Sequence, residues 1–109
     1  MNQNEAEVIE IEASKAKEAV AYRDALLRLS HNKDFDLIIN KGYFTAEASR
    51  LCLLKSDFPM MEEKHQKMID NQISGVGALY QYFLVINRQG HEADAALKDH
   101  AELESEDEG

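Results

Sequence analysis

The chain contains no tryptophan, one proline and one cysteine, and only 7% of its residues are aromatic. Each shortage excludes something. One proline and five glycines in 109 residues are too few for the repeated tight turns of a β-sandwich or barrel. A lone cysteine, Cys52, forbids an intrachain disulfide. With so few aromatic rings, a core has to be built from aliphatic side chains, with Met and Ala filling gaps. Basic residues are also scarce: 12 Lys and Arg face 21 Asp and Glu, for a formal net charge of −9, and no two basic residues are adjacent. Phosphate recognition and attachment to an anionic membrane surface both need clustered positive charge, so this balance argues against both. No apolar run approaches the roughly 20 residues of a membrane-spanning helix. The start, Met1-Asn2-Gln3-Asn4-Glu5, is polar and acidic and lacks the basic and apolar regions of a signal peptide.

What is present favours helix. Ala, Glu, Leu and Lys dominate, and the length suits one domain with a modest core. Residues 5–30 are expected to form one long helix behind a few frayed residues. Val8, Glu12, Lys15, Ala19, Tyr22, Leu26 and Leu29 recur at alternating steps of four and three, a heptad-like stripe weakened early by its charges. Its second half, from Ala19, is expected to dock, leaving the first 18 or so residues free to project.

Ser30-His31-Asn32-Lys33 breaks the pattern. Asp34 is expected to cap a short helix carrying Phe35, Leu37, Ile38 and Ile39, closed by a left-handed Gly42. Thr45 would cap a second short helix over residues 46–55, with Glu47 in its first turn. Pro59 would open a long last helix reaching about Leu97, because the three-and-four spacing persists through Met61, His65, Met68, Ile69, Ile73, Val76, Leu79, Tyr80, Phe83, Ile86, Gly90, Ala93 and Leu97. Gly75 and Gly77 in its interior suggest close approach of a neighbouring helix or a kink. Residues 92–109 hold eight carboxylates and one lysine, so residues 98–109 read as an acidic, disordered tail.

The chemistry-bearing residues form no constellation that would make an enzyme. Glu62 and His65 share a helix face, but a di-metal bundle site needs two such pairs and two further carboxylates. His31, His65, His91 and His100 show no zinc-site spacing. Gly75-Val76-Gly77 lacks the third glycine and preceding strand of a dinucleotide fingerprint. Cys52, within Leu51-Cys52-Leu53-Leu54, reads as a buried thiol serving as a small hydrophobe. No catalytic, cofactor-binding or metal-ligating residue is therefore assigned.

Residues 79–86 are apolar on nearly every face, so the last helix has more apolar surface than one monomer covers. Tyr82, on its flank, is either a second core contact or an interface anchor. A candidate protein interface follows: Tyr22 and Leu26 on the first helix, Tyr82, Val85 and Arg88 on the last. The acidic tail is either a solvated segment or an electrostatic handle for a basic partner.

The order Asp34-Phe35-Asp36-Leu37-Ile38-Ile39-Asn40-Lys41-Gly42-Tyr43-Phe44, then Glu47 to Leu54, then Ile73 to Phe83, resembles small helical proteins encoded by tailed bacteriophages near their virion-structural genes. The resemblance spans residues 25–100 and rests on packing residues, with no catalytic residues to carry over. It implies a virion-associated or assembly role, or an early protein acting on a host protein, with synthesis in the host cytoplasm and the virion as a further expected location.

The sequence thus predicts an all-α helical hairpin or small bundle: two long helices, two short connecting helices, a domain over residues 1–97 and an acidic disordered tail over 98–109. Its core would hold Ala19, Leu26, Leu29, Phe35, Ile38, Phe44, Leu51, Leu54, Ile73, Val76, Leu79, Tyr80, Phe83 and Ile86. The expected function is binding of protein, as a homo-oligomer or docked on a phage structural protein. An acidic inhibitor of a host protein or nucleic-acid-binding enzyme is the alternative, and a small-ligand-binding oligomer lined by Tyr82, Arg88 and His91 a third reading.

Overall fold

The computed structural model describes the backbone of residues 2–108 and the side chains of residues 2–103. Every regular element among them is helical, so the fold is an all-α bundle. The first helix spans Gln3–Ser30. Its start is capped rather than frayed: the Asn2 side chain accepts the Glu5 amide at 2.8 Å, satisfying one of the amides a helix leaves without an internal partner.

After a turn at His31, Asn32 takes the capping role expected of Asp34. Its side-chain oxygen accepts the Asp34 and Phe35 amides, both at 3.0 Å, from an extended backbone at φ −79° and ψ 124°. Asp34 sits two residues on, in the first turn, where its charge suits the helix dipole.

The two short helices expected next are one. Residues 33–54 run without a break: α-helical over Lys33–Phe35, π-helical over Asp36–Glu47, and α-helical again over Ala48–Leu54. A π-helix bonds each carbonyl to the amide five residues on, and long stretches of it are rare. Gly42 does not close a helix, and no glycine among the described residues has a positive φ. A side chain at position 42 would place its Cβ 3.0 Å from the Leu37 carbonyl oxygen, five residues back, so glycine gives the wide turn room. Thr45 is no cap either: its hydroxyl donates to the Asn40 carbonyl at 2.8 Å, again five residues back.

Pro59 lies in a 3₁₀ turn, Phe58–Met60, and the last helix follows as Glu63–Glu108. The Gln66 side-chain amide ties this corner down, donating to the carbonyls of Lys55 at 3.0 Å and Met60 at 2.8 Å. The tail expected to be disordered is helical through Glu108. Ala95, Ala96, Leu97, Lys98, Ala101 and Leu103 have strong helix propensity, and Lys98 pairs with Asp94 one turn back at 3.3 Å. Gly109 lies outside the described residues.

The chain forms two compact units, Arg28–Leu84 and a terminal unit of Met1–Leu27 with Val85–Gly109. In the central unit the middle helix packs on the first part of the last helix. Leu51, Ile69 and Val76 are the buried apolar side chains. Phe44 meets Tyr80 and Phe83 edge-on, with centroids 5.4 Å and 5.8 Å apart, and Phe35 closes the cluster 6.0 Å from Phe83. Edge-to-face contacts of this kind add about 0.5–1.5 kcal/mol each beyond area burial.

Along the π-helical stretch the inward positions come every four or five residues: Phe35, Ile39, Tyr43 with Phe44, and Ala48. Ile38, expected in the core, is instead 65% exposed, because a 3.6-residue reading places the face one position early. Leu29 and Tyr80 are likewise exposed, although the Tyr80 ring keeps its contact with Phe44. Cys52 is exposed rather than buried: a single narrow face of its helix turns inward, and Leu51 occupies it.

In the terminal unit the two long helices pair antiparallel, with Arg23 beside Gly90 and Ala13 and Ala16 sharing a cleft with Ala96 and Leu97. Part of the expected stripe of the first helix faces inward, Ala19 and Leu26 being half-buried, but the seam is shifted toward a neighbouring row. Ala13, Ala16, Val20 and Arg23 are half-buried, whereas Val8, Lys15 and Tyr22 are exposed. The last helix keeps its expected face, with Ile86, Ala93 and Leu97 half-buried and Gly90 buried. Gly90, not Gly75 or Gly77, is where backbones approach. A Cβ there would fall inside van der Waals contact with Arg23 Cβ and lie 3.0 Å from the Ala19 carbonyl oxygen; at Gly77 it would meet nothing within 4 Å. The Arg23 guanidinium spans the crossing, donating to the Gly90 carbonyl at 3.4 Å and Asp94 at 3.3 Å.

Opposite outcomes are expected of two equivalent substitutions, read by urea denaturation. Gly77→Ala stabilises by up to about 1 kcal/mol through helix propensity. Gly90→Ala destabilises by about 1–3 kcal/mol, because the overpacking penalty outweighs that gain. Equal shifts of the two midpoints would refute the close crossing.

Candidate interaction surface

In the central unit the middle helix and the last helix leave a shallow groove of about 700 Å³ between them. Ile38, Ile39, Gly42, Tyr43, Ala46 and Leu79 form its apolar wall and floor, with Glu47 and Arg50 at the edge. The π-helical geometry makes this surface: its wide turn carries Ile38 out to the groove while Ile39 and Tyr43 stay half-buried beneath. Leu37, 61% exposed, extends the apolar patch beyond the groove. Gly42 keeps the floor open, since it adds no side chain to the wall.

The polar edge is already paired. Arg50 forks onto Glu47, with Nε to Oε2 at 3.0 Å and a second guanidinium nitrogen to Oε1 at 2.5 Å. The charge-assisted bonds from Arg50 hold the Glu47 carboxyl below its ordinary range, and Glu47 in turn raises Arg50. On the far side of this pair lies a second opening lined by Tyr43, Glu47, Arg50, Leu51, Gln72, Gly75 and Val76. The chemistry on offer is apolar contact flanked by an ion pair spent on itself, with no nucleophile and base set beside each other.

Tyr22, Leu26, Val85 and Arg88, proposed from sequence as interface residues, belong to the terminal unit; Tyr82 belongs to the central one. Tyr22 and Tyr82 are each 55% exposed. Arg88 is exposed, and Leu26 and Val85 are half-buried. Tyr22 and Leu26 stand one turn apart on the first helix, as Val85 and Arg88 do on the last. The groove residues Ile38, Ile39, Gly42 and Ala46 were missed by the sequence reading. The signal that could have found them is Ile38-Ile39 preceding a glycine that no helix end requires.

Glu62 and His65 approach to 3.5 Å as an exposed to half-exposed pair. Among the described residues, no three His, Cys, Asp or Glu gather into a group that could hold a metal ion, and no helix is long and apolar enough to cross a membrane.

Because the Glu47 carboxyl is depressed in the folded state, its contribution is present above the unfolded glutamate range, about pH 4.3, and is lost as pH falls through the lower folded value. Glu47→Gln is therefore expected to be less stable than the parent near neutrality and to converge on it at acid pH. Urea midpoints from pH 7 to pH 2 test this; a constant gap across the series would count against the pair.

Comparison with protein-family models, curated proteins and solved structures finds no match to this chain.

Proposed function

We propose that this is a non-enzymatic protein-binding protein whose central groove is covered by a second copy of the chain. The observation that carries the reading is the exposure of Leu37 and Ile38 beside a groove with apolar walls. Apolar surface of this kind is stabilised when removed from water, at about 25 cal/mol per Å² buried, and contiguous exposed patches mark sites of association. The rim ion pair is internally satisfied, so covering the groove leaves Glu47 and Arg50 partnered with each other.

The resemblance of residues 34–54 and 73–83 to phage-encoded helical proteins supports a narrower form of the proposal. In that form the protein is virion-associated or assists assembly, working as a homo-oligomer or on a phage structural protein after synthesis in the host cytoplasm. The residues proposed to extend the interface are Tyr22, Leu26, Tyr82, Val85 and Arg88.

Light scattering across protein concentration and salt tests the proposal. The parent chain is expected to form a multimer that survives high salt, because apolar contact is little screened. Ile38→Lys, at an exposed position, is expected to return it to a monomer with unchanged helicity. A parent chain that stays monomeric throughout overturns the self-association reading.

A further inference from the structure

The terminal unit carries a second, chemically different opening. Between its two helices lies a cleft of about 260 Å³ lined by Ile9, Glu12, Ala13, Ala16, Ala96 and Leu97, with His100 at its side. Toward the start of the first helix it continues, through the shared Ile9, into a shallower depression with Val8 and Glu5. The alanines make it an apolar trough: with methyl groups on facing positions, the two helices leave unfilled space where larger side chains would interdigitate. Val8 and Ile9 stand exposed along its open length.

The charge around this trough is predominantly negative, with Lys15 and Lys17 the basic residues one turn from its first-helix lining. Glu5 and Glu12 line it directly. On the facing helix, Glu92 lies one turn before Ala96 and Asp99 one turn after it, and both are exposed. Asp94 is excluded from this set, because it already pairs with Arg23 and Lys98. A second copy of this chain is a poor occupant, since it would bring its own carboxylates against these. A basic helix is the complementary one.

We propose that the terminal cleft docks a basic amphipathic helix of a partner protein. Its aliphatic stripe fills the space over Ile9, Ala13, Ala16 and Leu97, and its Lys or Arg side chains reach Glu5, Glu12, Glu92 and Asp99. This is the helix-in-groove mode of recognition, with anchors at three-and-four spacing and charges that set orientation and on-rate. The inference rests on the protein-binding reading above and names the partner chemistry of a different surface.

The probe is a two-heptad synthetic peptide of Leu and Lys in amphipathic order, with a Leu and Glu peptide of the same pattern as its counterpart. Binding to the full chain is followed by fluorescence anisotropy at low and high salt. The Leu–Lys peptide is expected to bind and to weaken with salt, while the Leu–Glu peptide does not bind. Glu12→Lys with Asp99→Lys is expected to weaken binding about tenfold. Glu10→Lys with Glu18→Lys, the same charge change on exposed positions away from the cleft, should leave it within about twofold of the parent. Ile9→Ser, which removes an exposed apolar wall, is expected to weaken binding without changing helicity. Equal loss in the two charge-reversed variants would mean nonspecific attraction to an acidic protein and overturns the proposal, as does failure of the Leu–Lys peptide to bind. Failure here with a persistent multimer refutes the cleft alone, whereas a monomeric chain that binds the peptide refutes the groove alone.

Discussion

The close crossing of Arg23 over Gly90 fixes the pairing of the two long helices. Most of that seam is built from alanine, which contributes little apolar area per residue, so the helices can gain contact only by coming near. Gly90 permits the approach, and Arg23 then covers it with its aliphatic stem while its head reaches the Gly90 carbonyl and Asp94. The Asp94 carboxyl is held below its ordinary range by hydrogen bonds from Lys98 first and from Arg23 second, so a single acidic side chain serves both the crossing and the following turn. With an arginine occupying the inward position where a large hydrophobe would normally sit, the terminal unit has few bulky residues to fill its interior. The open trough lies further along the seam, where Ala13 and Ala16 face Ala96 and Leu97.

This arrangement explains why the sequence placed the face of the first helix only in part, with Ala19 and Leu26 half-buried but Val8, Tyr22 and Leu29 exposed. A periodicity argument weights large apolar side chains, and Val8, Tyr22, Leu26 and Leu29 form the most hydrophobic row available. The seam instead follows Ala13, Ala16, Val20 and Arg23, a row that hydrophobicity alone ranks lower. Alanine stripes pack by proximity rather than by area, and proximity is legible only when the facing glycine is known. On the last helix the facing row contained Ile86, Ala93 and Leu97 in a regular three-and-four pattern, so that side was read correctly from spacing alone.

The middle of the chain shows a different limit. Helicity was legible from residue types, but the join was not. Gly42 and Thr45 carry strong stop and start signals in an α-helix, and both serve a π-helical turn instead, at distances of five residues from Leu37 and Asn40. A period of 3.6 then puts Ile38 inward, and a wider turn puts Ile39 there. The groove was invisible in the sequence for that reason: its wall is made by residues that the usual period assigns to the core. Leu51, Val76 and Phe83 were recognised because they lie on α-helical elements, where the ordinary spacing holds.

The two openings divide the surface by chemistry. The central groove is apolar with an ion pair satisfied at its edge, so covering it strands no charge, and nothing about it selects a partner by sign. The terminal trough is lined by Glu5 and Glu12 on the first helix, with Glu92 and Asp99 exposed one turn from Ala96 on the last, so the occupant proposed for it is positively charged. Residues 92–109 carry −7 and residues 1–27 carry −3, whereas residues 28–84 are balanced, so the net negative charge falls on both helices of the terminal unit. A chain that used one surface for both purposes would set self-association against partner binding. With the net negative charge in the terminal unit, the self-association proposed for the central unit would meet little like-charge opposition, and the docking proposed for the trough would select partners by charge.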